Sequence, residues 1–381
     1  MCENGYENMK PELLYLSASV IPSASANSVH VMKMCDAFQR AGVRTTLLSR
    51  SGDVGNTGKE KQFYGTTTDF TLKSYPTINV RGISFLTSLL YSRDLVATSN
   101  DRTIYYGRDI PSLLLCTMLG KNVVYESHGL PEKKLLKLME SALLKSRSIL
   151  GVVYISQALK VLYDESMKGN VRDLVLHDSA DLPPNWEDKI PLEGNEIFKA
   201  VYVGALFSGR GLDLIFLLAE RLPDVGFHLF GGSNADLERE KNNAKKRQLK
   251  NVYFYGYVYP RDTYKCRNSG DFLLMPYKKN VMTINNASET SRYMSPLKLF
   301  EYMASKKPII SSDHNVLQEV LTDNRNALLC DPDKVDEWEE AIIKMKNSKS
   351  LCERLAKQAF SDFEAQYTWD KRAASILSFC G

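Results

Sequence analysis

The sequence has no long apolar run, few cysteines and little net charge, and each shortage removes a class of function. No apolar stretch reaches the roughly 18 residues that a membrane-crossing helix needs. The opening MCENGYENMKPELLYLSA has no basic segment followed by an apolar one, so no secretory leader is expected. The seven cysteines (Cys2, Cys35, Cys116, Cys266, Cys330, Cys352 and Cys380) are scattered, with no CxxC, and no histidine cluster shows metal-ligand spacing. An odd, dispersed set fits free thiols in a reducing compartment, so a cytoplasmic protein is expected. The 49 Lys and Arg against 45 Asp and Glu leave a net charge of +4, too small to argue for nucleic acid. There is no short internal repeat and no low-complexity tract.

What remains is the composition of a globular protein. The 381 residues are 44% hydrophobic, 25% charged and 10% aromatic, enough for about two domains on a prior of roughly 150 residues each. Short apolar runs alternate with helical-period segments. LLYLSA (13–18), RTTLLS, TIYYG (103–107), NVVYES (122–127) and ILGVVYIS (149–156) read as strands, and Ser28 can cap a helix over VHVMKMCDAFQRA. At 182–196, LPPNWEDKIPLEGNE is rich in proline and charge and has no period, which marks a linker. A second series follows: FKAVYVG (198–204), a helix over GLDLIFLLAERL, then GFHLFGG, NVYFYG, DFLLMPY and PIISS. Two runs of strand–helix alternation predict an α/β protein of two doubly wound, Rossmann-like domains facing across a cleft. The expected divisions are 1–185, a linker at 186–197, 198–365 and a last segment at 366–381.

Ligands of such sheets bind beyond the carboxyl ends of the strands, so the residues just after each strand carry the chemistry. In VGALFSGRGLDLI (203–215) a strand ends at Gly204 and a helix opens after Gly211. Gly209 and Gly211 let backbone approach a ligand, and Arg210 between them offers a planar fork to phosphate oxygens. The loop matches neither GxGxxG nor Walker A, and it reads either as a phosphate site or as a plain turn. In SPLKLFEYMASKKPII (295–310), Ser295 is a natural N-cap, with Pro296 in the first turn. Lys298 and Glu301 stand one turn apart. They form either an exposed ion pair or an anion site with a carboxylate one turn deeper, suited to the hydroxyls of a ribose. Two cations at two helix starts suggest a diphosphate held between them.

VGALFSGRG, FGG, NVYFYGYV, DFLLMPY and SPLKLFEYMASKKPIISS, in that order, resemble the C-terminal domain of retaining glycosyltransferases of the GT-B fold, in the family 4 group that includes bacterial surface-polysaccharide enzymes. SANSVHVMKMCDAF, IYYGRD, VVYESHG and VVYISQAL are similar to the N-terminal segments of that family. VLHDSADL resembles its strand and loop before the linker, and YTWDKRAASIL its last helix, which crosses back onto the N-terminal domain.

The resemblance implies sugar transfer from a nucleotide diphosphate sugar to a glycan or lipid-linked glycan, with no metal or other cofactor required. It assigns catalysis to His128, Arg210 and Lys298, the two cations neutralising the departing diphosphate. Gly204, Ser208, Gly209, Gly231, Tyr257, Val258, Ser295 and Glu301 would bind the donor, with Gly232 giving room beside the nucleotide, Tyr257 and Val258 near the base and Glu301 on the ribose. With no enzymic nucleophile evident, front-face attack by the acceptor hydroxyl is favoured. The sequence departs from the family in three places: Tyr293, eight positions before Glu301, replaces a frequent glutamate; Ala205 replaces a frequent arginine; and IPSASANS lacks paired glycines. Glu289 is near Tyr293, but at the wrong spacing.

His30 and Arg108 follow strands of the first domain and are candidate acceptor contacts. His30 reads equally as a helix-end residue in solvent, and Arg108 as a structural partner of Asp109. PEKKLLKLMESALLKSRS sets Leu135, Leu136, Met139, Leu143 and Leu144 among basic residues; it is either an ordinary surface helix or a peripheral contact with an anionic inner membrane. Two other functions remain open: a nucleotide-sugar epimerase, which needs acid–base carboxylates that do not stand out, and a non-catalytic nucleotide-sugar-binding subunit.

Overall fold

The computed structural model describes residues 11–52, 59–76, 83–99, 102–166, 171–281 and 289–381. Residues 282–288, part of the loop read before the Lys298 helix, lie outside them. The chain divides into two compact units. One takes the chain up to Ile155, Leu159–Leu176 and Trp369–Gly381; the other takes Ser156–Ala158 and His177–Thr368.

The first unit is a seven-stranded parallel sheet in the order β3-β2-β1-β4-β5-β6-β7. Its strands are β1 (Glu12–Ile21), β2 (Arg44–Ser51), β3 (Thr71–Tyr75), β4 (Thr103–Gly107), β5 (Val123–Ser127), β6 (Ile149–Tyr154) and β7 (Asp173–Val175). Between them run α1 (Ala26–Arg40), α2 (Glu60–Tyr64), α3 (Ile83–Thr98), α4 (Ile110–Met118), α5 (Lys134–Leu144) and α6 (Gln157–Ser166). The central strands are apolar runs because both faces are covered: Leu13, Leu14, Tyr15 and Leu16 are all buried. The cap of helix α1 falls three residues before the expected one. Ser25 is the N-cap and accepts from Ser28 N, while the Ser28 hydroxyl turns back to Val20 O at 2.8 Å.

The second unit is a six-stranded parallel sheet in the order β10-β9-β8-β11-β12-β13. It comprises β8 (Phe198–Val203), β9 (Val225–Phe230), β10 (Val252–Gly256), β11 (Phe272–Met275), β12 (Ile309–Ser312) and β13 (Leu328–Cys330). Its helices are α7 (Leu212–Arg221), α8 (Asn234–Lys246), α9 (Thr263–Ser269), α10 (Leu297–Met303), α11 (Val335–Asn347) and α12 (Lys349–Gln366). The last helix, α13 (Trp369–Cys380), belongs to the first unit. In both sheets the order reverses beside the first strand of the unit, which is where a doubly wound sheet opens a crevice.

The segment read as a linker is not free chain. Trp186 Nε1 donates to Ala304 O at 3.3 Å, Ile190 N to Ser269 Oγ at 2.7 Å, and the Asn268 amide to Asn185 O and Asp188 O. Residues 182–196 are therefore part of the second unit, and the division falls after Leu176 instead of at 185. Proline and charge gave these residues no period, yet their side chains and amides pack. Among the described residues, no helix is long and apolar enough to cross a membrane.

Candidate functional site

In the second unit the cations predicted from sequence meet an aromatic wall. Lys298 Nζ lies 3.7 Å from the centre of the Tyr202 ring and 5.4 Å from that of Tyr277. The Arg210 guanidinium lies 4.6 Å from Phe207 and 5.2 Å from Tyr277. Tyr277 thus touches both cations, and among the described residues neither has a carboxylate within ion-pair distance. Arg210 Nε is buried without a hydrogen-bond partner. Burial pulls the Lys298 ammonium well below the ordinary lysine range; the nearby Arg210 charge pulls the same way and Glu301 opposes. Two desolvated cations with rings for company and no anion form a site poised for an anionic ligand.

The backbone explains how they meet. A Cβ on Gly204 would stand 2.6 Å from Lys298 Nζ, so only glycine leaves the ammonium its place over Tyr202. Gly211 caps α7 at φ 78°, and a Cβ there would overlap Pro276 O at 1.6 Å. Helix α10 is pinned by Tyr302, whose hydroxyl accepts from Val203 N at 2.9 Å and donates to Leu274 O at 3.1 Å.

Two sequence expectations about α10 change. Ser295 does not cap it; Pro296 occupies that position, and Ser295 Oγ accepts from Asp178 N at 2.8 Å. Glu301 does not pair with Lys298. Its Oε2 lies 3.2 Å from an Nη of Arg267, a side chain only 6% exposed. Arg267 was not legible as a site residue, because it lies 34 positions upstream in a different helix.

The donor residues expected around the loop are spread. Ser208 and Gly209 line a cavity of about 640 Å³ with Asp213, Asp236, Arg239 and Lys278, and neither Lys298 nor Glu301 lines it. Arg239 donates to Leu206 O at 2.9 Å and so fastens the loop from that side. Gly231 N donates to Gly256 O at 2.7 Å, placing the Gly231–Gly232 turn beside the end of β10. Just beyond that end, Tyr257 is 45% exposed in an edge-to-face pair with Tyr259, while Val258 packs against the core. The Tyr293 carbonyl accepts from Ser156 Oγ at 2.9 Å.

The first unit gathers a second polar cluster. His128 follows β5, and its Nε2 donates to Glu126 Oε1. His30 Nε2 lies 2.8 Å from the same oxygen. Glu126 Oε2 takes the Tyr106 hydroxyl and, at 3.3 Å, the guanidinium of Arg372 from α13. Burial opposes a charge on Glu126, but Arg372, with the imidazoles, outweighs it and holds the carboxyl well below its ordinary range. Burial, reinforced by the Arg108 charge, pushes His128 down to about 3, so at neutral pH the ring is uncharged. The two imidazoles meet edge-to-face at 4.8 Å, and Trp369 closes on His30 at 5.1 Å.

His30 is 1% exposed, so it faces neither solvent nor an open acceptor surface. It supports Glu126 and His128. The Asp109 carboxylate, next to Arg108 in the chain, takes the Ser88 and Ser112 hydroxyls. Glu126 and Arg372 were missed from the sequence. His30, Glu126 and His128 place three metal-ligand atoms within 4.8 Å of one another, a grouping that spacing along the chain cannot reveal. The Arg372 charge already balances that carboxylate.

Residues 185–362 match the family described as glycosyl transferases group 1. The matched residues all lie in the second unit. An uncharacterized glycosyltransferase of Methanocaldococcus jannaschii is 22% identical over 221 residues, 58% of this chain and 56% of the relative. The chain spans about half the length of the curated relatives it matches. Among solved structures, a glycosyltransferase of Rickettsia africae superposes with a TM-score of 0.74 at 14% identity, covering 98% of each chain. Anabaena HepE in complex with UDP gives 0.69 at 14% identity over 97% of this chain and all of that one. Two parallel-sheet α/β units with these neighbours make the fold GT-B.

Proposed function

We propose that the protein transfers a sugar from a nucleotide diphosphate sugar to a hydroxyl of a glycan or lipid-linked glycan, with retention of anomeric configuration. The observation that carries this reading is the pair Arg210 and Lys298, packed on Tyr277 beside the Gly204 loop with no carboxylate counter-ion among the described residues. A diphosphate supplies the charge the site lacks. In the reaction, negative charge grows on the leaving diphosphate, and cations already desolvated and fixed stabilise it with little reorganisation. Glu301, steadied by Arg267, would accept from ribose hydroxyls. The exposed Tyr257 would flank the base.

No side chain in this account forms a covalent bond to the sugar, which favours front-face attack: the acceptor oxygen bonds the anomeric carbon as the diphosphate departs and takes the acceptor proton. The site cations fill the role that a divalent metal fills elsewhere, so turnover is expected to survive chelation. Support for a membrane-linked acceptor comes from α5. Its Leu143 side chain is buried and Leu136 and Met139 are half-buried, while Leu135 and Leu138 are 63% and 69% exposed beside Lys133, Lys134 and Lys137. A basic, apolar outer face suits an anionic bilayer surface.

The test is incubation of purified protein with UDP-, GDP-, ADP- and dTDP-sugars and extracted lipid acceptors, with and without EDTA. Nucleoside diphosphate release and an α-linked product from an α-linked donor support the reading. An isomerised nucleotide sugar, or binding without release, contradicts it. Loss of turnover in EDTA that zinc or manganese restores would overturn metal independence and direct attention to His30, Glu126 and His128.

A further inference from the structure

We propose that Arg50 and Tyr75 form an oxyanion subsite in the first unit, which holds a phosphate or carboxylate of the acceptor. That the anion belongs to an acceptor rests on the sugar-transfer reading. Both residues end strands. Arg50 is the last but one of β2 and Tyr75 the last of β3, and they stand opposite each other in the register of that parallel pair. Side chains in direct register leave a sheet on the same face, so the guanidinium and the hydroxyl share one place at its carboxyl end. Strand β2 lies next to β1, beside which the strand order reverses, and ligands of such sheets bind at that end.

Each residue brings a buried polar atom with nothing to bond. Arg50 Nε and the Tyr75 hydroxyl oxygen are closed off from solvent and have no hydrogen-bond partner among the described residues. Arg50 as a whole is half-buried, so a ligand reaches the pair from its side. Other cations of this unit are matched: Arg40 lies on Asp36 and Asp370, and Lys61 on Asp69. Arg50 forms no ion pair among the described residues. The carboxylate that acts on the Tyr75 hydroxyl is Asp109, and it is taken by the Ser88 and Ser112 hydroxyls. Burial raises the Tyr75 hydroxyl above its ordinary range, with Ser88 and Arg50 opposing, so it keeps its proton and can donate. A planar cation beside a neutral donor, with no acceptor supplied by the chain, matches an oxyanion in both charge and hydrogen bonding. An uncharged sugar hydroxyl would leave the guanidinium charge unmatched. Tyr91 of α3, 42% exposed, meets the Tyr75 ring at 5.7 Å and offers the rest of the ligand an apolar face.

The experiment follows the Nε–H signal of Arg50 in full-length protein labelled with ¹⁵N-arginine. The signal is identified by its loss in Arg50→Lys, or in Arg50→Gln should the first variant not fold. Glycerol 3-phosphate and glucuronate are titrated separately, with sodium chloride at matched ionic strength as the control. A saturable shift with the phosphate ester points to a phosphorylated acceptor, and one with glucuronate to an acidic sugar. In Tyr75→Phe the affinity read from that shift should fall by about threefold or more. The signal belongs to Arg50, so anion taken up at Arg210 and Lys298 does not enter the reading. No saturable shift from either compound, or the same shift from chloride, overturns the subsite. With acceptor in hand, an Arg50→Lys that melts like wild type should raise the acceptor KM by about tenfold or more and move the donor KM less than about threefold. An unchanged acceptor KM in that folded variant overturns the assignment to the acceptor. The titration needs no turnover, so its failure is distinguishable from failure of the sugar-transfer reading, which nucleotide release tests.

Discussion

Glu301 pairs with Arg267 at 3.2 Å, and Lys298, its neighbour one turn earlier on the same short helix, is left to the rings of Tyr202 and Tyr277. The helix therefore separates its charges. The carboxylate is stabilised in place by a buried guanidinium, and the ammonium is desolvated without a counter-ion among the described residues.

Removing the carboxylate leaves Arg267 buried and uncompensated, although Ser305 and Thr263 still accept from it. Glu301→Ala should cost about 1–3 kcal/mol of stability as well as nucleotide affinity. Glu301→Gln, which keeps an acceptor toward Arg267, should retain most of the stability and still bind nucleotide more weakly. Thermal unfolding together with nucleotide titration separates the two losses; equal melting temperatures for wild type and Glu301→Ala would contradict the role given to Arg267.

Lys298 leads to a proton-linkage prediction. Burial and Arg210 favour its neutral form in the free protein, while a bound diphosphate favours the ammonium. Nucleotide binding in the alkaline range should therefore take up protons, and affinity should fall as pH rises. Calorimetry in buffers of different ionisation enthalpy reads the uptake. In Lys298→Arg, whose side chain does not titrate there, the Lys298 contribution should vanish.

The cluster around Glu126 gives stability a direction with pH. His128 ionises near 3 in the folded protein and near 6.5 when unfolded, so below about pH 6.5 the unfolded chain binds a proton that the folded one refuses. Stability should fall as pH drops from about 6.5 toward 3, and Glu126, held low when folded, adds to the loss below its unfolded value of about 4.3. His228, pushed down to about 4 by burial, contributes in the same sense from the second unit. The check is the difference between variants: His128→Gln should show a shallower fall than wild type between pH 6.5 and 4.5. Parallel curves would mean that His128 is not held neutral.

The outer face of α5 is testable without any substrate. Protein should pellet with vesicles of phosphatidylglycerol and phosphatidylcholine and remain in solution with phosphatidylcholine alone, and the anionic binding should weaken in high salt. Replacing Leu135 and Leu138 with glutamine should reduce pelleting without changing the melting temperature. Equal pelleting with both vesicle types, or no loss in the double variant, would remove the membrane contact from the account.

Much of the second unit was legible because its signals are local. Strand ends, glycines and cations sit within a few residues of one another in VGALFSGRG and SPLKLFEYM, and the Tyr202, Gly204, Arg210 and Lys298 grouping follows from where those strands stop. What local pattern could not supply is partner choice across the fold. Arg267 takes Glu301 from another helix, Ser295 gives its hydroxyl to Asp178, and the supposed linker packs through Trp186. Glu126 reads as one polar residue in a buried strand. Its importance appears only when α13 brings Arg372 and Trp369 against the residues that follow β1 and β5. Spacing likewise could not foretell that His30 would be enclosed, since its helix starts three residues earlier than the Ser28 signal suggests.

The central claim is that Arg210 and Lys298 await a diphosphate. Titration calorimetry of wild type, Arg210→Met and Lys298→Met against UDP, GDP, ADP and dTDP tests it most directly. At least one nucleoside diphosphate should bind wild type, and each substitution should weaken that binding by about tenfold or more, as expected for losing a charge-assisted contact. Melting temperatures should stay within a few degrees, since each change removes a desolvated charge that has no counter-ion among the described residues. Binding of none of the four, or equal binding by wild type and both folded variants, would contradict the account.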